Sequence, residues 1–140
     1  MIKNINLQYI FSYIGIIPYL VLILDKTFFN EIQTDIRENF SIYYSIIIFV
    51  FIGALNWNLK IKITIFYVIY GIFPSIVSIF LILFNLFFYN IFPFLILFFL
   101  IQLILDYFYV YRSVYLKNIY LFLRLPLTFL IICSLSIIQL

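Results

Sequence analysis

The sequence predicts an all-α integral membrane protein with five transmembrane helices and a short interfacial amphipathic helix after the first. Three observations lead there. Of 140 residues, 68% are hydrophobic and only 9% charged, and the mean hydropathy is +1.26, which lies outside the range of water-soluble domains. Charge-free intervals recur at about the length needed to cross a hydrocarbon layer roughly 30 Å thick. Short charged or weakly polar stretches separate them. A chain this short and this apolar is expected to form one transmembrane domain over residues 1–140, with no separate soluble module.

The first predicted span is residues 6–24, which contains Gly15 and Pro18. Lys3 ahead of an apolar run is reminiscent of a signal peptide, but the run is long for one and no small-residue cleavage site follows, so it is expected to be retained. Residues 27–40 follow, where Phe28, Ile32, Ile36 and Phe40 repeat every four positions among Asp25, Lys26, Glu31, Asp35, Arg37 and Glu38. That pattern predicts either a helix lying along the membrane interface or a plain solvated linker. The second span is placed at 41–59, with Gly53 inside it and Lys60 and Lys62 closing it. From Lys62 the next charge is Asp106, an interval about right for two helices. Pro93 suits the first turn of a new helix, so the break falls between Asn85 and Pro93. The third span is then 63–84, with Gly71 and Pro74, and the fourth 92–110. The fifth covers 117–140 with Pro126 inside. Gly15, Pro18, Gly53, Gly71, Pro74 and Pro126 are the candidate kink positions. Gly15-Ile-Ile-Pro18 and Gly71-Ile-Phe-Pro74 form a faint internal echo of the kind left by a parallel repeat.

Orientation follows from lysine and arginine in the loops. Lys3, Lys60, Lys62, Arg112 and Lys117 fall on the amino-terminal side, against Lys26 and Arg37 on the other. The amino terminus is expected in the cytoplasm or matrix and the carboxyl terminus outside. Tyr107, Tyr109, Tyr111, Tyr115 and Tyr120 crowd the fourth turnaround, as aromatic residues do at membrane interfaces.

Two charges cannot easily leave the apolar layer. At 1.5 Å per residue, Asp106 lies roughly 22 Å along the fourth helix and Arg124 roughly 24 Å from the end of the fifth. Matching depth predicts that they pair, since an isolated ion in hydrocarbon is costly; the alternative is that each reaches the headgroups independently. Gln102 lies one turn before Asp106, and Asn56 and Trp57 fall at a similar level on the second helix. Asn56, Trp57, Gln102, Asp106 and Arg124 thus form a candidate intramembrane polar cluster. It reads either as a clasp fixing helix packing or as a small pocket for a headgroup, a quinone-like ring or an anion.

Other chemistry is poorly served. Histidine is absent and Cys133 is the single cysteine, which leaves no histidine-ligated metal, histidine base or intrachain disulfide. No phosphate loop, nucleophile elbow or metal-binding carboxylate cluster is present. The eight basic residues are scattered, so nucleic acid is not an expected partner. No cofactor, no catalytic residue and no metal site is predicted.

One resemblance emerges from the ordered set Gly15-Ile-Ile-Pro18, Phe51-Ile-Gly53-Ala-Leu-Asn-Trp57, Pro74-Ser75, Gln102 with Asp106, and Tyr120-Leu-Phe-Leu-Arg124-Leu-Pro-Leu-Thr128. It resembles, over nearly the whole chain, the bacterial membrane family of unknown function that includes the mitochondrial transmembrane protein 69. That family usually has a second glycine where Ala54 stands and another small residue near Asn58, two departures expected to loosen any close helix contact there. The resemblance implies a bacterial or mitochondrial inner-membrane location and no particular activity. The expected function is therefore non-enzymatic: a structural or accessory protein of a larger membrane complex, or alternatively a small-solute or lipid-handling carrier with its polar site around Asp106 and Arg124.

Overall fold

A computed structural model describes residue 10, residues 12–55, 65–87, 90–110 and 114–140. Among the described residues, five helices are long and apolar enough to cross a membrane: Ser12–Phe29, Thr34–Ala54, Val68–Phe87, Phe92–Tyr109 and Lys117–Gln139. These are the first to fifth spans below. The outward surface is rich in large apolar side chains such as Ile47, Phe51, Ile79, Phe80, Phe122 and Phe129, which have a suitable environment only in lipid. The protein is a multi-pass membrane protein, and the bilayer is its solvent.

Burial follows helical periodicity on every span. In the fourth, Phe92, Leu95, Phe99, Gln102 and Asp106 are buried at intervals of three and four. Tyr120, Arg124, Thr128, Ile131, Leu135 and Ile138 do the same in the fifth. Both charged residues therefore continue the stripe that buries the apolar core residues, instead of standing at a fraying helix end.

The chain forms two compact units. One comprises Met1–Ser41 and Ile96–Leu140, the other Ile42–Leu95. Within the first unit the first and fifth spans run side by side in the same direction. Tyr13 donates its hydroxyl hydrogen bond to the carbonyl of Phe122 at 2.8 Å, and Lys26 Nζ reaches the carbonyls of Ile137 and Ile138 at 2.9 and 3.0 Å. The second contact satisfies two carbonyls in the last turn of the fifth span and places a cation against its negative dipole end.

In the second unit, Gly53 of the second span meets Pro74 of the third. A Cβ at Gly53 would stand 2.5 Å from Pro74 Cγ, so only hydrogen fits. Pro74 lies inside a helix, and the hydroxyl of Ser78 donates to its carbonyl at 2.7 Å. Ala54 is exposed, so the alanine that departs from the resembled family does not loosen this contact.

Several expectations are corrected. Residues 27–40 are not an independent interfacial helix. Asp25–Phe29 form a π-helical turn that finishes the first span, residues 30–33 turn the chain, and Thr34 already begins the second helix, Thr34–Leu55. Phe28, Ile36 and Phe40 are exposed whereas Asp25 and Arg37 are buried, so the apolar repeat faces outward and one acid and one base of the segment turn inward, while Glu31 and Asp35 stay exposed. The second and third spans accordingly lie a few residues from the ranges 41–59 and 63–84. Pro126 lies inside the fifth span, directly after the π turn Tyr120–Arg124, and Pro18 lies inside the first span, just after the turn at residues 15 and 16, so regular α-helix is interrupted beside both prolines. Gly15 sits in the turn just before Ile17. The Gly-x-x-Pro echo therefore has no common structure, since Gly71 and Pro74 are buried mid-helix.

Candidate functional site

Among the described residues of the fourth and fifth spans, one buried acid and one buried base face each other. Arg124 Nε donates to Asp106 Oδ2 at 2.7 Å, with the Asp106 side chain 1% and the Arg124 side chain 7% exposed. Arg124 Nη1 donates to Thr128 Oγ1 at 3.2 Å. The threonine hydroxyl in turn donates to the Arg124 carbonyl at 2.9 Å. Arg124 Nη2 is buried and has no hydrogen-bond partner.

The backbone positions both charges by the same device. Asp106 is the first residue of a π-helical turn, Asp106–Val110. Arg124 is the last residue of another, Tyr120–Arg124. A π turn inserts one residue into helical register, and such turns concentrate where a side chain must be re-aimed. Tyr120, one turn before Arg124, is buried and donates to the carbonyl of Leu103 at 3.1 Å. It is therefore a link between the fourth and fifth spans and not the interfacial anchor its place in the tyrosine cluster suggests. Its ring lies 5.4 Å from that of Tyr107, which packs edge-on against Phe108 at 5.4 Å. Tyr107, Phe108 and Tyr109 are exposed.

Of the five residues of the candidate polar cluster, the structure brings Asp106 and Arg124 into contact. Gln102 is buried one turn before Asp106 on the same helical stripe. Asn56 and Trp57 lie outside the described residues, as do the side chains of Tyr111 and Tyr115. Cys133 is a free, half-buried cysteine. Among the described residues, no group of three or more carboxylates or cysteines could hold a metal ion.

A second buried ion pair lies in the same unit, outside the predicted polar cluster. Arg37 Nη2 stands 2.9 Å from Asp25 Oδ2. The same nitrogen donates to Asn30 Oδ1 at 3.1 Å and to the carbonyl of Ile32 at 2.8 Å. Asp25 also accepts the backbone N–H groups of Glu31 and Ile32 at 3.1 and 3.3 Å. Asn30 is left-handed at φ 50°, and its N–H closes the π turn on the Asp25 carbonyl at 2.6 Å. This cluster ties the first turnaround together, next to the lysine that covers the end of the fifth span. Residue identity carried a signal: an acid and a base twelve positions apart flank an asparagine suited to αL backbone. The four-residue repeat of large apolar side chains concealed it.

Arg124 and Ile137 are thirteen residues apart on the fifth span, so the two ion pairs are separated by roughly 20 Å of helix. The first unit is fastened by buried charge near both ends, and each pair is formally neutral.

The family model of a protein of unknown function, DUF3429, matches residues 6–140 of the chain. The chain belongs to the DUF3429 family. The match covers all five spans and both ion pairs, so the site described above lies wholly within the DUF3429 region. No curated protein and no solved structure matches the chain.

Proposed function

We propose that this DUF3429 protein is a non-enzymatic component of an energy-conserving inner membrane, bacterial or mitochondrial, that serves as a structural or accessory subunit of a larger membrane complex. One observation carries the reading: the strongest polar chemistry of the described residues, the Asp25–Arg37 and Asp106–Arg124 pairs, is turned inward and joins spans of one chain. Removing either partner of such a pair is strongly destabilising, whereas the intact pair has no excess charge to offer a substrate. The exposed surface offers large apolar and aromatic side chains, including Phe66, Phe80, Phe94 and Phe122, which suit lipid and neighbouring transmembrane helices alike. The location rests on the resemblance to the family of the mitochondrial transmembrane protein 69. The distribution of Lys3, Lys60, Lys62, Arg112 and Lys117 against Lys26 and Arg37 supports an amino terminus in the cytoplasm or matrix.

The test is reciprocal affinity isolation in mild detergent with mass spectrometry. The reading expects the same membrane proteins to be retained whichever partner carries the tag. Recovery of a lone monomer under conditions that preserve known complexes of that membrane refutes it.

A second reading, a small-solute or lipid-handling carrier with its polar site at Asp106 and Arg124, is favoured by the unpartnered Nη2 of Arg124. A clasp alone is better served when the guanidinium engages the carboxylate through two nitrogens. Retention of a bound lipid or solute that is lost on Arg124→Lys is the outcome this reading expects, and its absence refutes it.

A further inference from the structure

Arg124 carries five N–H donors on a rigid plane. Nε is committed to Asp106 at 2.7 Å and Nη1 to Thr128 at 3.2 Å. Nη2 is buried with no acceptor. Leaving a donor of a charged group unsatisfied in a medium without water is costly, yet this arginine sits in a stripe of core residues, fixed by a π turn and by threonine. Its unused edge faces the surroundings of a carboxylate, which decides the charge of anything that could fill it. An anion is repelled by Asp106, and a cation has nothing to accept from Nη2. A neutral hydrogen-bond acceptor meets neither penalty.

A separate observation speaks for the body of such a molecule. Tyr120, one turn from Arg124 on the same face, is buried; Tyr107, next to Asp106 in sequence, packs tilted against the Tyr120 ring at 5.4 Å and is exposed; Phe108 meets Tyr107 edge-on at 5.4 Å and is more exposed still. Three aromatic rings in mutual contact thus run from the exposed surface to the buried Tyr120, one turn from Arg124. Offset and edge-on aromatic contacts select planar rings over flexible alkyl chains.

We infer that Arg124 and Asp106 form the polar end of a binding site for a neutral, membrane-soluble ring compound bearing a carbonyl oxygen, of the quinone class. The Nη2 edge takes the carbonyl, Asp106 keeps the guanidinium oriented and rejects anions, and Tyr107 and Phe108 line the approach. The site binds; no electron transfer is assigned to it. This inference rests on the second reading above, that the polar layer accepts a guest, and names the guest's chemistry. An ester carbonyl of a lipid shares the acceptor but lacks the ring.

The full chain in dodecylmaltoside micelles, a detergent without carbonyl groups, is titrated with decylubiquinone and separately with dioleoylglycerol, reading the quenching of intrinsic fluorescence and competition between the two. Saturable decylubiquinone binding is expected, weakened about tenfold or more by Arg124→Lys, which keeps the charge but loses the planar fork. Tyr107→Leu, at an exposed position, is expected to weaken decylubiquinone binding severalfold and to leave dioleoylglycerol unaffected. Circular dichroism and gel filtration establish that both variants are folded, and Tyr107→Leu keeps the test decisive where Arg124→Lys fails to fold. Decylubiquinone binding that does not saturate, or that survives both substitutions unchanged, overturns the inference. Binding of dioleoylglycerol alone, lost on Arg124→Lys, also overturns it but leaves the guest-accepting reading standing. If neither compound depends on Arg124 or Tyr107, both fall.

Discussion

Replacing one partner of the Asp106–Arg124 pair tests the architecture most directly. At 2.7 Å two unit charges attract by about 6 kcal/mol at an effective dielectric of about 20. The desolvation of both groups cancels much of that, so the intact pair adds modest net stability over two apolar residues. Asymmetry is the useful quantity. Asp106→Leu leaves a guanidinium, and Arg124→Met leaves a carboxylate, buried and uncompensated, at an expected cost of about 3–5 kcal/mol each. The double replacement removes both charges together and is expected to cost far less than the sum, giving a coupling of at least about 2 kcal/mol. Neutral hydrogen bonds between transmembrane helices average about 0.6 kcal/mol in such cycles, so the two explanations are well separated. The assay is reversible unfolding in mixed micelles of dodecylmaltoside and increasing sodium dodecyl sulfate, followed by far-ultraviolet circular dichroism. A coupling at or below about 0.6 kcal/mol refutes the claim that these two groups face each other in a low-dielectric interior.

Gly53→Ala places a methyl group 2.5 Å from Pro74 Cγ; overpacking of about 1–3 kcal/mol is expected to outweigh a gain of about 1 kcal/mol in helix propensity. Adding Pro74→Ala, which removes the offending ring atoms, is expected to restore stability in the same unfolding assay, and failure to do so would mean the two spans do not touch there. Lys26→Met removes the donors to the Ile137 and Ile138 carbonyls and is expected to cost about 1–3 kcal/mol, with Lys26→Arg retaining part of it. Hydrogen exchange is expected to show the last turn of the fifth span opening more readily in Lys26→Met, and unchanged protection there would contradict the capping role. Asn30→Ala imposes a left-handed backbone cost of about 1–2 kcal/mol and removes one acceptor from Arg37; faster proteolysis between residues 29 and 34 is the expected readout.

Composition and charge spacing by themselves determined that this is a membrane protein, and they foretold the five helices among the described residues that are long and apolar enough to cross a bilayer, because charge-free length against hydrocarbon thickness is a one-dimensional property of a chain. The pairing of Asp106 with Arg124 was legible for the same reason: depth is sequence distance multiplied by helical rise. What depended on rotation about the helix axis was not legible. Phe28, Ile36 and Phe40 look like the buried side of a surface helix, yet lipid makes the apolar side the outer one and turns Arg37 inward onto Asp25. Gly53 and Pro74 carry no mark that they touch, and the π turns at residues 25, 106 and 120 leave no periodic trace. Those features, and the unfilled edge of Arg124, were decided by how neighbouring spans pack, since only a partner's surface fixes which way a side chain points and what it meets there.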